Sequence, residues 1–85
     1  MKIRNRFTGE VILEVPGDTL TDATLTGADL TDATLTWANL TDATLIGANL
    51  TDATLADATL TGANLTGAFV MFGGRKFFLT EEPKQ

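Results

Sequence analysis

The chain has 85 residues, which limits it to a single domain at most. Six Lys and Arg against eleven Asp and Glu leave a formal net charge of -5 at pH 7, the wrong sign for direct contact with nucleic acid. With no Cys, His, Tyr or Ser, disulfides and thiolate metal sites are excluded, and acid–base or covalent chemistry is left to carboxylates, Lys and Thr.

The N-terminal flank, residues 1–17, reads as a β-hairpin cap. Over residues 2–7 the pattern alternates, with Ile3, Asn5 and Phe7 on one face and Lys2, Arg4 and Arg6 on the other, as in a half-buried strand. Thr8-Gly9 is a turn signal, and residues 10–15 read as the second strand. Pro16-Gly17 then breaks the extended run. The first residues are basic but lead into no apolar stretch, so neither a secretory leader nor a membrane span is expected. A cytoplasmic or virion-associated location is the expectation.

Residues 18–70 form an array that dominates the chain. Leucine falls at every fifth position from Leu20 to Leu65, and alanine stands two residues before each leucine from Ala23 to Ala63, with Asp18 in that place at the head. A period of five is neither the 3.6 of a helix nor the 2.0 of a strand. On a helix these positions would spiral without forming a stripe. The many Thr residues favour extended backbone, and Asp-Ala, Gly-Ala and Asn-Leu junctions put turn-friendly residues into the units. The pattern therefore predicts short extended pieces joined by corners, Leu and Ala inward, Thr and Asp outward. Self-similarity at a fixed period marks a solenoid.

Ala28-Asp29-Leu30-Thr31-Asp32, Ala38-Asn39-Leu40-Thr41-Asp42 and Ala63-Asn64-Leu65-Thr66-Gly67 match the A(D/N)LXX unit in every constrained place. The array thus resembles the pentapeptide-repeat proteins. Ala23-Thr24-Leu25, Ala33-Thr34-Leu35 and Ala58-Thr59-Leu60 are mild variants with Thr in the second place. The segment Asn5-Arg6-Phe7-Thr8-Gly9-Glu10-Val11-Ile12 is similar to the leader of small phage-encoded members. The resemblance implies an all-β fold, a right-handed quadrilateral β-helix with four units of five residues per coil and coils stacked at about 4.8 Å. In that register Leu20, Leu40 and Leu60 share one wall, Leu25, Leu45 and Leu65 the next, Leu30, Leu50 and Val70 the third, and Leu35 and Leu55 the fourth. Two to three coils make a rod of roughly 12–15 Å, with a narrow, dry core and no cavity for a substrate or cofactor.

The C-terminal flank, residues 71–85, reads as an aromatic cap and tail. Gly73-Gly74 allows a sharp bend, residues 75–80 read as a strand, and residues 81–85 as a polar tail that frays. Phe69, Met71, Phe72, Phe77, Phe78 and Leu79 are too many to fit under one small coil. Some are expected to close the core, and the surplus forms a self-association surface.

No catalytic, cofactor-binding or metal-binding residue is assigned, and no cofactor, membrane or small-molecule substrate is expected. The leading function is a non-enzymatic structural or protein-interaction module, virion- or assembly-associated, that self-associates through the C-terminal aromatic segment. Three outward features give alternatives. Every Lys and Arg lies outside the array, while Asp22 stacks on Asp42 and Asp32 on Asp52, so the rod is anionic. That suits either a DNA-mimic inhibitor of a topoisomerase or another DNA-binding enzyme, or a calcium site, although the calcium-loop glycine pattern is missing. Thr-x-Thr pairs such as Thr19/Thr21 and Thr59/Thr61 suit ice or surface binding, interrupted at Asn39, Ile46 and Ala56. Trp37, at a corner in register with Asp57 and Phe77, is expected to seal the junction with the C-terminal cap.

Overall fold

A computed structural model of the chain describes residues 1–80. The tail expected at residues 81–85 lies outside the described residues. The four strands are β1 (Lys2–Arg4), β2 (Val11–Glu14), β3 (Phe69–Phe72) and β4 (Arg75–Phe78), and no α-helix occurs among the described residues. β1 pairs antiparallel with β2, and β3 with β4. Between these hairpins lies the array, whose extended pieces are so short that each contributes only single-residue bridges.

Those bridges define the register. Parallel bridges join Thr24 to Thr44 and Thr44 to Asn64, Asp29 to Asn49 and Asn49 to Phe69, Thr34 to Thr54, and Asn39 to Thr59. Every partner is twenty residues on, so each five-residue unit pairs with the fourth unit after it, as expected from the repeat.

A backbone account explains why each place in the unit holds the residue it does. The alanine N–H donates to the carbonyl of the leucine three residues before it, at 3.0 Å from Ala23 through Ala63. The residue just before the alanine in each of these turns has positive φ: Asp22 (62°), Gly27 (68°), Asp32 (63°), Asp42 (59°) and Gly47 (70°) are examples. A turn with left-handed backbone at its third residue favours Gly, with Asn and Asp the side chains that tolerate it best. The leucine and corner N–H groups donate to carbonyls nineteen residues later, for example Leu25 to Thr44 at 2.7 Å and Asp22 to Thr41 at 2.9 Å. The second-place residue donates backwards, as Thr44 does to Ala23 at 2.8 Å. In the middle of the array this scheme leaves over the N–H after each leucine. Where Asp or Asn stands two residues earlier, its side chain takes that N–H.

The core is the leucine and alanine lining, and no polar side chain among the described residues is buried. Burial is uneven along the axis. Ile3, Leu20, Leu30, Leu35, Leu40 and Leu45 are fully buried, whereas Leu55, Leu60 and Leu65 of the last units are only partly so. Ile12, Leu13 and Val15 pack on the core from the N-terminal side.

The N-terminal hairpin departs from its expected alternation. The strand stops at Arg4, and Phe7, expected on the inner face, is 70% exposed. The cause is Asn5, whose Oδ1 accepts the N–H of Phe7 (2.8 Å) and of Thr8 (3.0 Å), while its carbonyl accepts from Gly9 (2.9 Å). The chain turns there and docks on the array. The Arg6 N–H donates to the Asp32 carbonyl (2.7 Å) and Thr34 donates to Arg4 (2.8 Å), with an antiparallel bridge from Asn5 to Ala33.

At the other end Gly73 and Gly74, both at positive φ, make the two-residue reversal between β3 and β4. Phe69 faces Phe78, Val70 faces Phe77 and Met71 faces Lys76 across the hairpin. The expected aromatic closure of the core is not what these strands provide. Phe72 is 78% exposed, Phe77 and Met71 are also exposed, and the residue that reaches over the end of the lining is Leu79, whose N–H donates to Ala68 at 2.9 Å.

Candidate functional site

The aspartates expected at the corners do lie there. Asp22, Asp32, Asp42, Asp52 and Asp57 all occupy left-handed turn positions, and the Asp22 N–H bonds the unit that carries Asp42 just as that of Asp32 bonds the unit carrying Asp52. Asp42 also hangs over the next corner in its rank. A Cβ built on Gly62 would sit 2.2 Å from Asp42 Oδ1, so that carboxylate occupies the space a larger residue would need. Among the described residues, no three carboxylates come together as a metal-binding group.

The shaft is not free of basic side chains, although the array sequence is. Arg6 Nη1 donates to the Asp52 carbonyl at 2.9 Å while its backbone N–H holds Asp32, so Arg6 runs along the Asp32/Asp52 corner across two successive turns of the ladder. Its guanidinium also lies 4.9 Å from the Phe7 ring centroid. Sequence reasoning missed this placement, since it depends on the turn at Asn5.

The Thr hydroxyls are largely committed to local bonds where an Asp or Asn precedes them. Thr31, Thr41, Thr51 and Thr66 donate Oγ1–H to the side chains of Asp29, Asn39, Asn49 and Asn64 at 2.6, 2.6, 2.5 and 2.7 Å, and their N–H groups bond the same oxygens. In Asp29 the Thr31 hydroxyl and then the Thr31 N–H hold the carboxyl below its ordinary value of 3.8, with burial acting the other way. These oxygens complete the turn, in the manner of an Asx motif.

Trp37 does not seal the cap. It is 75% exposed, and Phe77 lies opposite Val70 in the β3–β4 hairpin instead of in the Trp37 rank. Trp37 has φ of 66°, a left-handed conformation that a bulky residue seldom adopts. Its N–H bonds Ala56 at 2.9 Å, so the corner is held by the ladder despite the side chain.

The C-terminal end carries a group of exposed apolar side chains. Phe72, Phe77, Met71 and Leu79 lie on or just after the β3–β4 hairpin, with cations beside the rings: Lys76 Nζ is 4.3 Å from the Phe69 centroid and Arg75 is 5.7 Å from that of Phe77. Inside this end, Leu40, Leu45, Leu50, Leu55, Leu60, Leu65 and Leu79 line an apolar cavity of about 200 Å³. The expected cavity-free core is therefore corrected at one end. The last turn of the ladder has no further turn stacked on it to fill the space between its leucines.

A family model for pentapeptide repeats, eight copies, matches residues 19–55 and 35–70, together more than half of the chain. No curated protein matches the chain.

Proposed function

The chain belongs to the pentapeptide-repeat family, and we propose that it is a non-enzymatic structural or interaction module built on a right-handed quadrilateral β-helix. In this reading residues 1–17 cap the first coil, residues 18–70 form the shaft, and residues 71–85 join the module to a protein surface, a second copy included, within a larger assembly such as a virion. One observation supports it above others: Phe72, Met71, Phe77 and Leu79 leave apolar area exposed at the C-terminal end, where Leu55, Leu60 and Leu65 of the lining are also only partly buried. Sedimentation velocity over a range of concentrations tests it. Reversible association that Phe72→Ser abolishes is the expected result, and a strict monomer at high concentration contradicts it. Phe72 is so exposed that its replacement leaves the fold intact.

A second reading, an anionic mimic of DNA acting on a topoisomerase, draws support from the stacked corner aspartates. Arg6 lying on the Asp32/Asp52 corner weakens it, because it places a positive charge on that anionic edge. Inhibition of supercoiling by a type II topoisomerase would favour this reading, and its absence would remove it. The Thr-rank reading is weakened by the interruptions of the ranks at Asn39, Ile46 and Ala56, and absence of thermal hysteresis in a freezing drop would remove it.

A further inference from the structure

We propose that the leucine-lined cavity at the C-terminal end is a binding site for a small apolar molecule of benzene or short-alkane size. The lining is made of leucine side chains alone, and its volume is about 200 Å³. A dry cavity of about 150 Å³ with comparable lining takes up benzene or xenon, because water finds no hydrogen-bond partner there. A polar or charged ligand would lose its hydration with nothing to replace it.

The cavity cannot simply collapse. The backbone around it is fixed by the ladder: Leu40, Leu45 and Leu50 donate to Thr59, Asn64 and Phe69, and each corner is closed by its own turn. Walls held this way relax only partly around a void, and their lining atoms go without dispersion partners that a ligand would restore. Nor does the chain fill the space with its larger side chains. None of the five Phe residues contributes to the lining, and among the described residues it is Leu79 that joins the array leucines there. Leu79 is 40% exposed and is tethered through its N–H to Ala68. This inference does not depend on self-association. The proposed association involves the outer apolar surface and shares only Leu79 with this site, whose other lining residues belong to the array.

The test uses the full chain with 13C-labelled leucine methyls, kept at a concentration where sedimentation gives a monomer, and titrated with benzene. The expected result is saturable shifts at the methyls of Leu50, Leu60, Leu65 and Leu79, with none at Leu20 and Leu25 in the covered end. Leu60→Phe, which fills the cavity, is expected to abolish the response. Should that variant fail to fold, Leu79→Ala, which only widens the mouth, is expected to retain binding with faster exchange. Three outcomes would overturn the proposal: no saturable response up to the solubility of benzene, equal shifts at Leu20 and Leu25, or cavity methyls that respond to protein concentration but not to benzene. The last would assign the space to a second copy.

Discussion

The two ends of the array are built from the same unit and finish differently. At the N-terminal end Ile3 and Leu20 are both buried, and the backbone of Arg4 and Arg6, at the end of β1 and just after it, bonds Thr34 and Asp32 of the array. At the C-terminal end Leu55, Leu60 and Leu65 stay half-buried, a cavity opens among the leucines, and the aromatic hairpin presents its rings outward. The difference teaches that the repeat specifies its own lateral pairing but not its termination. Each unit needs a partner twenty residues away, and only non-repeating sequence can replace the partner that is missing. The N-terminal flank does so with main-chain bonds and a buried Ile, whereas the C-terminal flank reaches over with one leucine.

The comparison is sharpened most by truncating leucines at the two levels. Leu30→Ala, away from the cavity lining, is expected to destabilise by about 2–5 kcal/mol, and Leu60→Ala, beside an existing void, by roughly half as much. Urea unfolding of both variants checks the ratio, and equal losses would mean the C-terminal end is sealed. Ile3→Ala should fall with Leu30→Ala, since its side chain is just as buried.

Smaller effects come from the corners. Gly62→Ala forces a left-handed conformation on an L-residue and drives its Cβ toward the Asp42 carboxylate. A loss of about 1–2 kcal/mol is expected, read as a lower urea midpoint. The opposite sign is expected for Trp37→Asn. Asn tolerates left-handed backbone and the exposed indole buries little, so the variant should gain about 0.5–1 kcal/mol. A loss there would show that the ring packs against something.

The smallest effect concerns pH. Because the Asp29 carboxyl titrates below its ordinary value when folded, its contribution to stability is complete above the unfolded value of 3.8 and fades as pH falls through the lower folded value. Asp29→Asn keeps an acceptor for Thr31 but cannot titrate. It should therefore show a shallower loss of stability in that acid window, measured by denaturant unfolding at a series of pH values.

Much of this architecture was legible in the sequence. The five-residue period placed Leu and Ala inside, and the Asp or Gly before all but one of the repeat alanines supplied the turns, Trp37 being the exception. The pairing of Thr24 with Thr44 and Asp29 with Asn49 keeps the twenty-residue spacing that the family resemblance implies. What escaped was set by non-repeating residues. Asn5 ends β1 early through bonds to two later N–H groups, which exposes Phe7 and carries Arg6 onto the Asp52 corner. Alternation alone could not reveal a side chain that competes with the ladder. The outward turn of the aromatic hairpin likewise depends on where β4 returns, and the cavity is its consequence. Trp37 was placed at a corner correctly, but its partner was misjudged because Phe77 belongs to a hairpin and not to the five-residue count.

Native-state amide hydrogen exchange on the monomeric chain tests the asymmetry of the two ends most directly. The N–H groups of Leu25, Leu30, Leu35, Leu40, Leu45 and Leu50 each donate to the next turn of the ladder, whereas those of Leu55, Leu60 and Leu65 face the C-terminal edge. The account predicts that the first set exchanges only through global unfolding and the second set markedly faster. Equal protection of both sets in the monomer would contradict it.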